Sequence, residues 1–416
     1  MDSRDIGRRI AYWRTVRRLT QADFGALMGQ SRRWVQNLEG GLRQRDPRLS
    51  VLEDAARVLR IPLERLLSDA PPGTAADCTD AAELAAIRAA LHRHDVITGT
   101  CDADCTGAPP LPALRRSVVH ARTAFQAGAF ASLGRLVPDL LVTATRAAAH
   151  HEGEQRLEAW RLLCWVLEVT EAAAIKAGDT DLAVTSAHRA VAAAERTGDP
   201  VTMASAARHL ADAMTHHGQP RVGADFAVAA AARLSADLQQ RGADGLSVLG
   251  MLYLKAAMAT AAVAEQEEAR AAAAAAAVPA LLDQADEHAT QLGADDNRLW
   301  TAFGPTNVCL YRVAAHVQLS EGGDAVDAAL AIPDPARQGL PRERRAHHLT
   351  DLAHAYTQAG QRQDAVTALL DAEDEAPEEV RCRPRTHRLV EDLRLLGVGS
   401  SEGILQELAG RCGLPR

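Results

Sequence analysis

Thr20-Gln21-Ala22-Asp23-Phe24-Gly25-Ala26-Leu27-Met28-Gly29-Gln30-Ser31-Arg32-Arg33-Trp34-Val35-Gln36-Asn37-Leu38-Glu39-Gly40 decides how the rest of the chain is read. Thr20 can cap a helix, with Asp23 at the capping-box position. Phe24, Leu27 and Met28 would form that helix's apolar face. Gly29 supplies the left-handed residue that ends it. Ser31 can cap a second helix, in which Val35 and Leu38 point inward at i, i+3 spacing. Arg32, Arg33, Gln36 and Asn37 are left on the outer face. Those four side chains suit the major groove. An arginine fork matches guanine O6 and N7, and Asn or Gln matches adenine N6 and N7.

The stretch from about Ile6 to Leu67 resembles the helix-turn-helix of the XRE family of lambda-type repressors. The resemblance rests on the Leu19-Thr20-Gln21 opening, the Gly29 turn, Ser31, and the ending Val35…Leu38-Glu39-x-Gly41. It implies that Gln21 touches DNA backbone or base, and that Arg32, Arg33, Gln36 and Asn37 read bases. It also puts Arg43 and Arg45, in the loop after the second helix, near phosphates. Two positions depart from the family. Gly25 stands where Ala is usual, loosening the first helix by up to about 1 kcal/mol, and Trp34 occupies a usually polar outer position.

Around this stretch, Ile6 to Val16 reads as a first helix with Ile10 and Trp13 facing a core and several arginines about it. Asp46-Pro47 opens another helix with Leu52, Ala55, Ala56 and Leu59 on its apolar side. Ile61-Pro62 starts a fifth. Residues 1–70 hold 14 arginines against 9 acidic residues, a net of +5, and the remainder nets −13. A basic head on an acidic body fits a head that meets phosphate. Lysine occurs only at Lys176 and Lys255 among 46 basic residues, which reads as codon bias of a GC-rich genome.

With 416 residues the chain exceeds one small domain. Aromatics are only 3%, so Ala, Leu and Val must build the core, which favours closely packed helices. Seven cysteines, an odd number and mostly isolated, do not look like a secreted disulfide framework. No apolar leader and no uninterrupted apolar span is read, so the expectation is a cytoplasmic protein without a membrane segment.

Residues 69–110 read as a linker with a short helix at about Ala81 to Leu91 and a loop carrying Cys101 and Cys105. Those two thiols, with His92, His94 and Cys78 near in sequence, could bind zinc or act as a redox pair. Their Cys-x3-Cys spacing is not diagnostic, and the plainer reading is a loop with two exposed thiols.

From Leu111 onward the pattern is helical. The turns at Gly178, Gly198 and Gly218 fall 20 residues apart, one helix per step, which signals an α-solenoid. Ala346 to Glu379 fits a tetratricopeptide unit, with Ala353, Ala365, Tyr356, Leu369 and Ala372 at the packing positions. Weaker copies sit on Gly178 and Gly218. Seven alanines from Ala271 precede Pro279, which should break or kink the helix. Leu299 to Val308 stands out because it places Trp300 and Phe303 in a turn before a helix that Thr306 could cap. Trp300, Phe303 and Asn307 are candidate ligand contacts, with Asn307 able to donate and accept to a peptide backbone. The alternative is a turn pinned by its aromatics against neighbouring helices. Arg385 to Arg416 reads as two more helices around Leu389, Leu393, Leu396, Leu405 and Leu408.

The expected fold is thus all-α: a five-helix lambda-repressor-like DNA-binding domain over residues 1–68, the linker, and an α-solenoid of degenerate tetratricopeptide-like pairs over 111–416. This layout is similar to the helical-repeat regulators that include the RRNPP class of peptide sensors. The resemblance implies a homodimer that binds a pseudo-palindromic operator and senses a peptide or small molecule. A second reading is a protein-interaction scaffold with a vestigial head. No nucleophile elbow, phosphate loop or paired-carboxylate motif emerges, so neither an enzyme nor a cofactor is expected.

Overall fold

The computed structural model describes residues 3–16, 19–40, 48–59, 63, 66, 78–94 and 108–414. Among them every regular element is helical, with 21 α-helices and no strand. Arg43, Arg45, Cys101 and Cys105 lie outside the described residues.

The first four helices are α1 (Ser3–Val16), α2 (Gln21–Leu27), α3 (Arg32–Glu39) and α4 (Leu49–Leu59). Ile10, Trp13, Phe24, Val35, Leu38, Leu52 and Leu59 share one small core. Leu27, expected on the inner face of α2, is 60% exposed instead. The core-facing side of α2 runs through Phe24, Gly25 and Met28, and Leu27 lies off it. Two of the arginines flanking α1 turn inward: Arg9 Nε donates to the Leu66 carbonyl at 2.7 Å, and Arg14 pairs with Glu39.

The body begins with α5 (Ala81–Leu91) and continues through α6 (Leu111–Gln126), α7 (Phe130–His150), α8 (Gly153–Ala177), α9 (Thr180–Glu195) and α10 (Pro200–His216). Then come α11 (Pro220–Gln239), α12 (Gly242–Gln266), α13 (Ala271–Leu292), α14 (Pro305–Gln318), α15 (Gly322–Leu330) and α16 (Asp334–Gln338). The last are α17 (Arg342–Gln358), α18 (Arg362–Glu375), α19 (Pro377–Arg381), α20 (Pro384–Leu396) and α21 (Glu402–Arg411). Gly178, Gly198 and Gly218 all carry positive φ, at 78°, 64° and 80°. Each lets the chain reverse after a helix at the 20-residue step, where a Cβ would be strained. Small residues do the packing: Ala183, Ala187, Ala190, Ala353 and Ala365 are fully buried.

Two helices depart from expectation. Pro279 lies inside α13 and does not break it, because Val278, Leu282, Ala285 and Ala289 clamp the helix against α12. α5 is not a free linker helix. Its Ile87 and Leu91 join the body's main core, and Arg88 pairs with Asp179 at 2.6 Å. At the C-terminal end, Leu389, Leu393, Leu405 and Leu408 are buried, but Leu396 is half exposed.

α6, α8, α10, α12, α14 and α17 touch in succession, and α17 touches α6 again. The inner helices therefore close a ring. The junction is sealed by polar clasps, with the Ala131 amide donating to Glu378 at 2.7 Å and Lys176 reaching Glu343 and Glu379. A disulfide joins Cys78 to Cys382, 304 residues away, with Cα atoms 5.5 Å apart. This corrects the expectation of isolated thiols for those two residues. Cysteine spacing gives no hint of the pairing, since ring closure alone brings them together. α12 is long and apolar enough to cross a membrane by length and composition, but most of it is buried inside the body.

Candidate functional site

Two regions concentrate unspent polar chemistry. The first is the outer face of α3. Thr20 Oγ1 accepts from the Asp23 amide at 3.1 Å, and Asp23 accepts from the Thr20 amide at 3.2 Å, closing the capping box. The Thr20 hydroxyl also donates to the Asp23 carboxylate at 2.6 Å, and this bond, with the one from the Thr20 amide, holds the Asp23 carboxyl below its ordinary pKa. Ser31 caps α3 by accepting from the Trp34 amide at 3.2 Å. A Cβ at Gly25 would stand 2.8 Å from the Gln30 carbonyl oxygen and 3.3 Å from Val35. Glycine here is therefore what lets α3 cross close to α2. Glu39 then fixes α3 in place, accepting from Arg14 Nε at 2.6 Å and from Gln21 Nε2 at 2.8 Å.

With Val35 and Leu38 buried, Arg32, Arg33 and Gln36 stand exposed and Asn37 is half-buried at the edge. Trp34 leans on the core beneath. Gln21 differs from the other candidates. Its amide is engaged by Glu39, so in this structure its nearest polar role is to brace α2 against α3.

The second region is a cavity of about 220 Å³ at the centre of the ring. α8, α10, α12, α14 and α17 each send a polar stripe into it: Glu171 and Lys176, then Arg208 and Asp212, Lys255, Tyr311, and Glu343 with His347. Most charges are paired at short range. Lys255 Nζ meets Asp212 at 2.7 Å, and His209 Nδ1 lies 2.5 Å from Glu171. Arg122 pairs with Glu168 and donates to the Trp165 carbonyl at 3.0 Å. Burial, with the Asp212 carboxylate next to it, pushes the Glu171 carboxyl well above its ordinary pKa. Burial and Arg208 push the His209 imidazole well down.

Of the candidates in the 299–308 corner, Trp300 and Asn307 line this cavity and Phe303 does not. Phe303 is fully buried among α12, α13 and α14. Trp300 meets Trp165 edge to face at 5.3 Å and lies under the Arg122 guanidinium, also at 5.3 Å. Leu299, Trp300 and Ala302 all carry left-handed φ, between 48° and 56°. Backbone strain of this kind needs surrounding structure to hold it, and Gln126 supplies part of that through Asn297 at 2.9 Å. Asp295, not Thr306, caps α14, accepting from the Thr306 amide at 2.9 Å. The acceptor of Asn307 is already used, since its Oδ1 receives Arg344 Nε at 2.7 Å.

Sequence reading missed the charged residues of this cavity, among them Arg208, which is 6% exposed and lines it. A usable signal was present all the same. Both lysines of the chain, Lys176 and Lys255, line this one cavity, so their scarcity in the sequence was a pointer to it. Glu343, His347 and Glu379 are close enough to hold a metal ion. The Lys176 ammonium occupies the position between them, at 2.5 Å from Glu343 and 2.8 Å from Glu379, and supplies the cation. No family model and no curated protein matches the chain.

Proposed function

We propose that the chain is a sequence-specific DNA-binding transcriptional regulator with an XRE-type head and a tetratricopeptide-like solenoid body that senses a ligand. The observation that carries this is the division of α3. One side is buried through Val35 and Leu38, and the other presents Arg32, Arg33 and Gln36 to solvent behind a Ser31 cap. Arginine and glutamine at such positions match base edges, and the helix N-terminus suits a phosphate. The braces from Glu39 to Arg14 and Gln21 support the same reading, because base readout needs a recognition helix held in fixed orientation.

One head reads only a few base pairs. In this proposal a homodimer reads two half-sites about 34 Å apart, one helical turn, in a pseudo-palindromic operator. The ring-enclosed cavity is the sensing site. A ligand there acts by its differential affinity for two ring geometries.

The test is selection of bound DNA from a random pool at about 150 mM salt, where phosphate contacts alone are weakened. The wild-type chain is compared with Arg32→Ala/Arg33→Ala. An enriched pseudo-palindrome lost in the double variant supports the proposal. Equal enrichment by both proteins, or a monomer-length site, refutes it.

A further inference from the structure

Among the charged groups of the cavity, two cations lack a carboxylate. Arg208 lies on α10 and is more than nine-tenths buried. Among the described residues it has neither a hydrogen-bond nor an ion-pair partner, and its Nε is shut off from water with nothing to bond. Arg344 lies on α17 and spends Nε on the neutral Asn307 amide, while its buried Nη2 has no partner. Both gather around Tyr311. Arg344 stacks over the ring at 4.6 Å, and Tyr311 is among the groups that influence Arg208.

The neighbouring charges do not neutralise these two. Lys255 is matched by Asp212, Arg122 by Glu168, Lys176 by Glu343 and Glu379, and Arg385 by Asp351. Of the two carboxyls that act on Arg208, Glu168 is already bonded to Arg122 and Glu171 to His209. A buried guanidinium without a counter-charge is costly, and chains keep one where something else supplies the charge.

We infer that the central cavity binds a compact organic anion with two negative charges, its oxyanion groups seated on Arg208 and Arg344 beside Tyr311. The size fits. About 220 Å³ lies below the roughly 300–1,000 Å³ of pockets for drug-sized molecules, which favours a small acid over an extended peptide. Carboxylate and phosphate share this chemistry, because a guanidinium fork accepts both in bidentate fashion. Apolar surface for a short carbon body comes from Met251, Met258 and Ala314, which line the same space. This rests on reading the body as a sensor. It does not rest on DNA binding.

The experiment is thermal melting of the full-length chain without DNA, at constant ionic strength set with chloride. Succinate, glutarate and inorganic phosphate are titrated, with succinamide as the uncharged counterpart. At least one dianion is expected to raise the melting temperature saturably while succinamide does not. The carboxylate and phosphate arms show which oxyanion is preferred. In Arg208→Met the ligand-dependent rise is expected to disappear, and the ligand-free variant is expected to melt above the wild type, since the unpaired charge is gone. No rise with any dianion beyond the chloride control overturns the inference. So does a ligand-free Arg208→Met chain that melts below the wild type, because the guanidinium is then structural. A chain that binds a dianion but selects no operator keeps this inference and loses the DNA-binding proposal.

Discussion

Replacing Lys176 by methionine tests whether the ring is held shut by its buried charges. The Lys176 ammonium is 6% exposed and lies 2.5 Å from Glu343 and 2.8 Å from Glu379, whose side chain is fully buried. At an effective dielectric constant of about 20, one such contact is worth roughly 6 kcal/mol before desolvation is charged against it. Removing one partner of a buried pair typically costs about 3–5 kcal/mol, because the other charge stays behind. Glu379 keeps Arg383, so the loss falls mainly on Glu343, and the lower end of that range applies.

With about 300 residues in the body and ~2.1 cal/mol/K of unfolding entropy per residue, a loss near 3 kcal/mol lowers the melting temperature by about 5 °C. The pH dependence gives a second readout. Burial by itself pushes the Glu343 carboxyl up, but Lys176 overrides this and holds it well below its ordinary 4.5. A carboxyl depressed in the folded state adds stability above pH 4.5, and that stability fades as pH falls through the folded value. The variant has none of it to lose. The gap between wild type and Lys176→Met should therefore be largest near pH 7 and shrink below pH 4.5. A melting difference under about 1 °C at pH 7, or a gap that does not shrink on acidification, refutes the reasoning.

Two further outcomes are expected. A Cβ at position 250 would stand 1.9 Å from the Phe303 ring, which is fully buried and cannot retreat. Gly250→Ala should thus lose about 1–2 kcal/mol in denaturant unfolding, overpacking of ~1–3 outweighing up to ~1 of helix propensity. Adding Phe303→Leu should make the double variant more stable than the sum of the two single losses, and strict additivity would show that the contact is not the cause. Reducing the Cys78–Cys382 bond, which closes a loop of 304 residues, should lower unfolding stability by about 2–5 kcal/mol. An unchanged denaturation midpoint with and without reductant would count against its holding the ring.

Local chemistry makes much of the chain legible from its sequence. Thr20 with Asp23, Gly29 and Ser31 state where two helices start, end and turn, since capping and positive φ are decided by neighbouring residues. The 20-residue glycine step and the alanine stripes likewise announce helices that pack closely. Leu27 and Pro279 were misread because tertiary contact, not local pattern, settled which face was covered and whether the helix continued.

The cavity belonged to a different level. Asn307 looked like a free amide and is bonded to Arg344, and Phe303 looked like a pocket wall and is core. Arg208 is one arginine among many in the sequence, and nothing within a few residues of it predicts that it will be buried without a partner. Sequence alone determined helix periodicity, caps, turns and the basic outer face of α3, all of which depend on contacts within about a turn. Only the tertiary structure decided that α17 returns to α6, that Cys78 meets Cys382, and that two guanidiniums face one cavity. Those facts depend on small angles between successive helices that add up around the ring. The angles are set by side-chain packing across elements, which residue spacing along the chain does not record.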